Sequence, residues 1–430
     1  MGLSFRKNLT NNKLIIMKDQ ILSHLNDPVH LERLYRSNKG IFKKEFNSVY
    51  PEVTGSPIAG FWYERLNYEA DELSWGPARD LIFVLIISLI AGIIAKLPAI
   101  LGIDEEFFYP RNIGFIVFPM LAAFFIWKNN LSLGKIATIG LSLLAGVVYI
   151  NMLPDAPESD TLILACIHLL IFLWGILLFA YVGGIKKNDE KRLDFLKYNG
   201  DLLVISALIG IAGGIMTAIT IGLFSLIGID IDQFFAEYIA VFAVPAIPII
   251  GTYLIQTNPH LVGKISPVIA RIFSPLVLVM LVVYVIAMVY SGKDPYNDRE
   301  FLLIFNGLLI GVMAIIFFSV AGSPGTQKSK PEVLILILLS VVTILVNGIA
   351  LSAILFRISE WGISPNRIAV LGANLLILIN LVIVTAQLLK VTSKKGELDE
   401  VGKVVARYLP VYIIWATIVT FTFPLIFGIE

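Results

Sequence analysis

The sequence predicts an all-α protein: a polytopic bundle of about eleven transmembrane helices, preceded by a small cytosolic helical region. Composition is the first observation behind this. Hydrophobic residues fill 57% of the 430 positions and charged residues only 15%, where soluble domains run near 25% charged. Mean hydropathy is +0.83, and a soluble fold of this length needs more polar surface to cover its core. The second observation is grouping. From residue 81 onward the apolar residues form runs close to the ~20 positions a helix needs to span hydrocarbon.

Residues 1–80 read as the cytosolic helical region, with 1–16 lacking a clear pattern. Asp27-Pro28 is an N-cap followed by proline at the first helical position. Leu31, Leu34, Tyr35, Phe42 and Phe46 then recur at helical spacing. Ser56-Pro57 repeats the start signal, and Ile58, Phe61, Trp62 and Leu66 form the apolar stripe expected for a further helix. This region holds 11 Lys/Arg and 10 Asp/Glu, so it is not a basic lipid-binding patch. Its early residues lack the apolar core of a secretory leader. Residues 17–75 are a candidate surface for a protein partner.

The transmembrane bundle is expected over 81–430, with spans near 81–101, 112–127, 133–153, 161–185, 201–228, 237–255, 267–290, 301–321, 333–356, 367–391 and 408–428. The second is short. The sixth carries Pro245 and Pro248 and should kink. Alternating the loops from an inside N-terminus puts 16 Lys/Arg on the inner side and 5 on the outer side. Positive residues collect on the cytoplasmic face, and a miscounted span would invert every later loop. The expected topology is therefore N-in and C-out.

Charge is nearly absent from the spans. Lys96 is the one basic residue well inside a span, near its outer end, and no acid lies near mid-membrane. Proton relays need titrating groups in the membrane, and only His168 offers one. Cys166 lies in an apolar run and reads as packing. No Walker loop, GxSxG, HExxH or metal-ligand spacing is present, so no cofactor, metal or catalytic residue is expected. The net charge of +1 gives no reason to expect a nucleic-acid partner. Gly210/Gly214 and Gly307/Gly311 have the small-xxx-small spacing of close helix contacts.

The candidate ligand site comprises Arg111, Arg357, Arg367, Asn347, Asn374 and His168, all in the outer half under this topology. The three arginines sit on a side that carries fourteen acids, against the positive-inside tendency. Pro110-Arg111-Asn112 and Pro365-Asn366-Arg367 each open a predicted helix, where a cation opposes the macrodipole. Such arginines should have compensating partners: outer carboxylates such as Glu360 or Asp104, lipid headgroups, or a shared anionic ligand held by bidentate contacts. The amides at Asn347 and Asn374 read either as interhelical hydrogen bonds or as the lining of an outward-open cavity.

The segment Phe356-Arg357-Ile358-Ser359-Glu360-Trp361-Gly362-Ile363-Ser364-Pro365-Asn366-Arg367, running into an apolar helix, resembles a family of bacterial multi-pass membrane proteins catalogued as domain of unknown function 4153. Phe107-Phe108-Tyr109-Pro110-Arg111-Asn112 and His24-Leu25-Asn26-Asp27-Pro28 carry the same resemblance. It implies a multi-pass location in the bacterial inner membrane and no particular activity. Three classes of function remain open from the residues: transport of a small, lipid-like or anionic solute through an outward-facing polar cavity; a non-catalytic envelope or signalling scaffold that docks a partner through its N-terminal helices; and an outer-leaflet lipid-modifying enzyme.

Overall fold

A computed structural model describes residues 17–37, 39–67, 76–184, 188–226, 229–259, 265–291, 296, 299–321, 330–393 and 396–429. Every regular element among them is a helix. The chain divides into two compact units, Met1–Glu72 and Leu73–Glu430, where the sequence suggested a boundary at 80/81.

The N-terminal unit contains α1 (17–23), α2 (Pro28–Ser37), α3 (Lys39–Val49), a 3-10 turn (Tyr50–Glu52) and α4 (Pro57–Asn67). Asp27 caps α2 as its sequence signals. Its Oδ1 accepts the Val29 and His30 amides, both at 3.1 Å. Ser56 Oγ accepts the Ala59 amide at the start of α4. Ile21, Leu31, Phe42, Phe46, Ala59, Trp62 and Leu66 form a separate core, with Trp62 against Phe42 at 5.2 Å between ring centroids. Phe61 departs from the expected stripe and is 62% exposed. Each helical residue turns about 100°, so with Ala59, Trp62 and Leu66 facing inward, Phe61 must face away.

The second unit contains α5 (Ala78–Leu101), α6 (Glu105–Asn129), α7 (Leu133–Met152), α8 (Asp160–Val182), α9 (Asp189–Leu226), α10 (Asp232–Thr257), α11 (Ile265–Ser291), α12 (Arg299–Ala321), α13 (Lys330–Trp361), α14 (Pro365–Thr392) and α15 (Leu398–Phe427). Nine of these are long and apolar enough, among the described residues, to cross a membrane. The other two, α11 and α12, lie where the seventh and eighth spans were expected. Outward apolar side chains such as Leu133, Leu141, Ile219 and Leu425 are exposed along the helices, as a lipid-facing surface requires. One continuous apolar cluster runs through the interior from Val84 of α5 to Leu409 of α15.

Helix boundaries run past the apolar runs. α9 begins at Asp189, well before the expected span, and buries Phe195 and Tyr198 in that polar first stretch. α6 begins at Glu105 rather than 112, because Asp104 Oδ1 caps the Glu106 amide at 2.7 Å. α10 includes a π-helical stretch, Phe235–Ala240, before the segment carrying Pro245 and Pro248.

The expected glycine contacts are not where the helices meet. Among the described residues, a methyl group at Gly214, Gly307 or Gly311 would meet nothing within 4 Å, and one at Gly210 only Ile247, at 3.9 Å. Close approach instead occurs at Gly92 under the Phe242 ring, Gly372 under Trp415, Gly175 against Ile413 and Gly402 against Leu193. The reason is that large side chains seat on single glycines here, so paired glycine spacing carries no information about the interface.

Candidate functional site

Arg111 is 3% exposed and lies well inside α6, not at its start. Its Nη1 donates to the carbonyls of Ile150 (3.0 Å) and Leu153 (2.8 Å), and its Nη2 to that of Pro154 (2.9 Å). Asp155 Oδ1 stands at 3.5 Å. These carbonyls belong to the end of α7 and the residues just beyond it. Arg367, in the first turn of α14, donates through Nη1 to the carbonyls of Trp361 (2.9 Å) and Gly362 (2.6 Å) at the end of α13. Arg357 lies near the C-terminal end of α13 itself, and its Nε donates to the Tyr296 carbonyl at 2.8 Å.

The expected partners were carboxylates, headgroups or a bound anion. The principal partners observed are backbone carbonyls. The last carbonyls of a helix lack intrahelical partners and carry the negative end of its dipole, so a guanidinium that serves several of them is compensated without an anion. Arg111 staples the end of the following helix, α7, and Arg367 the end of the preceding one, α13.

Arg357 and Arg367 flank Trp361, at 5.6 and 5.7 Å from its ring. Arg111 lines a cavity of about 310 Å³ with Glu106, Asp155, Cys166 and apolar residues of α8. None of Arg357, Arg367, Asn347, Asn374 or His168 lines it. Two carboxylates against one already engaged guanidinium make this cavity unsuited to an anion. His168 binds through Nδ1 to the Leu164 carbonyl of its own helix at 2.9 Å. Asn347 of α13 and Asn374 of α14 do meet, with Asn347 Nδ2 donating to the Asn374 carbonyl at 3.2 Å. Lys96 reaches α10, donating to the Glu237 carbonyl at 2.8 Å and lying 4.5 Å from the Tyr238 ring centroid.

A second cavity lies in the N-terminal unit. It is an open groove of about 670 Å³, lined by Pro28, Glu32 and Arg36 of α2 and by Pro57, Ile58, Phe61, Trp62 and Arg65 of α4. Positions 28, 32 and 36 repeat every four residues and so share one face of α2. Glu32 holds both cations, with Arg36 Nε at 2.8 Å from Oε1 and Arg65 Nη2 at 3.2 Å from Oε2. Arg65 also stacks 4.6 Å from the Trp62 ring centroid. The hydrogen bond from Arg36, followed by the positive field of Arg65, keeps the Glu32 carboxyl below its ordinary range. The groove therefore has an aromatic wall and a net positive rim.

No family model matches the chain, and no curated protein or solved structure is similar to it. Site and function are argued from this geometry.

The groove was only half visible in the sequence. Glu32 and Arg36 have the i,i+4 spacing of a helical ion pair. That Arg65 joins them, and that Phe61 leaves the core, depends on how α2 and α4 pack.

Proposed function

We propose that this is a multi-pass protein of the bacterial inner membrane whose cytosolic N-terminal unit docks a protein partner, in a non-catalytic scaffold or signalling role. The N-in, C-out topology and the resemblance to domain of unknown function 4153 are part of this reading. The observation that carries it is Phe61: a large aromatic ring exposed beside two guanidiniums, on a unit that has its own core. Aromatic and arginine side chains are the usual anchors of protein interfaces. The complementary partner is a segment with an apolar side chain flanked by carboxylates.

The experiment is site-specific photocrosslinking from position 61 of the full chain in its native membrane. The expected result is a single protein adduct, mapped to a segment in which Asp or Glu adjoins an apolar residue, and strongly reduced by Arg36→Gln. Adducts to lipid alone, no adduct, or an adduct indifferent to Arg36→Gln would overturn the reading.

Transport of a lipid-like solute is the second reading, favoured by the apolar lining of the Arg111 cavity. Its test is protection of Cys166 from alkylation by phospholipid in detergent micelles. Unchanged alkylation across lipid concentrations would remove this support.

A further inference from the structure

Two asparagine pairs cross helix interfaces in the bundle, and they are connected differently. Asn112 of α6 and Asn151 of α7 exchange their amides, each Nδ2 donating to the other's Oδ1 at 2.8 Å. Each Nδ2 also donates to its own helix, at Phe108 (3.0 Å) and Val147 (2.8 Å). Both donors and both acceptors of this pair are engaged.

Asn347 and Asn374 are not closed in this way. Asn347 Nδ2 donates to the Asn374 backbone carbonyl, while Asn347 Oδ1 and Asn374 Nδ2 have no protein partner among the described residues. The two residues are 0% and 1% exposed, enclosed where α13 and α14 pack as a hairpin. Exchanging the Asn347 oxygen and nitrogen does not help, because its oxygen would then face the Asn374 carbonyl oxygen. Lipid supplies no hydrogen-bonding groups in place of solvent, so buried polar atoms in a bundle need internal partners.

The missing group must donate to Asn347 Oδ1, accept from Asn374 Nδ2 and be small. Water meets all three requirements, and buried waters characteristically bind about three otherwise unsatisfied polar groups. A further acceptor lies on the same face of α13. Thr343, one turn from Asn347, is fully buried, and its hydroxyl proton goes to the Leu339 carbonyl at 2.6 Å. Its oxygen lone pairs remain available to a third bond.

We propose that Asn347 and Asn374 form an internal hydration site, in which one water bridges the two amides within the α13–α14 interface. The Asn112–Asn151 pair, whose amides satisfy one another, is the comparison built into the same molecule.

X-ray radiolytic footprinting of the full-length protein in phospholipid nanodiscs tests this, because radicals formed from a bound water oxidise the residues beside it. The expected result is severalfold more oxidation in peptides spanning 343–351 and 371–378 than in those spanning 112–118 and 143–151. Asn347→Leu combined with Asn374→Leu removes both unpartnered atoms, and the excess oxidation should disappear. Equal oxidation around the two pairs in the unaltered protein overturns the proposal, whether or not the double variant folds. Excess oxidation that persists in a folded double variant also overturns it.

Discussion

At the residue scale, the main lesson concerns arginine. The sequence placed Arg111 and Arg367 at helix starts, where a cation is disfavoured, and correctly demanded compensation. It could not show that the compensation comes from the carbonyl end of the neighbouring helix, since those groups are absent from any residue code. Arg111→Lys leaves one ammonium where two guanidinium nitrogens serve three carbonyls. The expected loss is about 1.5–3 kcal/mol, the range for hydrogen bonds to a charged group, read as a lower unfolding temperature in detergent. Arg367→Lys, at a partly exposed position with two carbonyl partners rather than three, should cost clearly less, and equal losses would contradict the staple described for Arg111. Glu32 gives a pH prediction. Its folded pKa lies below the ordinary value of 4.5, chiefly through Arg36. The stabilisation is therefore complete above the unfolded carboxyl's pKa and is lost as pH falls through the depressed folded value. Hydrogen-exchange protection in peptides of 28–66 within the full chain, taken relative to the intrinsic rate at each pH, should fall on acidification over that window, and Glu32→Gln should remove this acid-dependent component.

At the element scale, the apolar runs located each span but not its ends. Polar turns such as 189–200 of α9 continue the helix outside the apolar stretch, and a single cap at Asp104 moves the start of α6 by about two turns. Glycine spacing misled because it ignores what sits opposite. Gly92→Ala would drive a methyl into the Phe242 ring. That overpacking should cost about 1–3 kcal/mol. Gly214→Ala enters open space and should stabilise α9, by up to the ~1 kcal/mol by which alanine exceeds glycine in a helix interior. Thermal unfolding of the two variants in one detergent checks both signs.

At the scale of the whole molecule, an odd number of crossings puts the two chain ends on opposite sides of the membrane. Nine helices among the described residues are long and apolar enough to cross, eleven crossings were expected from the sequence, and both numbers are odd; with the bias of Lys/Arg, the C-terminus is expected outside. Alkaline phosphatase fused after Glu430 should be active, and the same enzyme fused after Lys187 inactive. The reverse pattern would remove the cytosolic placement of the N-terminal groove. The two units also differ in how they satisfy polar groups. The N-terminal unit leaves its ion pairs at a solvated rim. The bundle engages Arg111, Arg367, Asn112 and Asn151 with carbonyls and other amides, whereas the Asn347–Asn374 pair stays open.

The sequence by itself determined the class, the order of the apolar helices, the caps at Asp27 and Ser56, and most of the N-terminal core. These follow from composition and periodicity, which are local and additive along the chain. Tertiary structure alone decided which residues meet. It assigned the arginines to helix ends, separated Arg111 from Asn347 and Asn374, turned Phe61 outward beside Arg36 and Arg65, and left one asparagine pair closed and the other open. Each of these depends on the rotation and register of one helix against another. A rotation of one residue, about 100°, exchanges a buried face for an exposed one without changing the sequence pattern that made the helix.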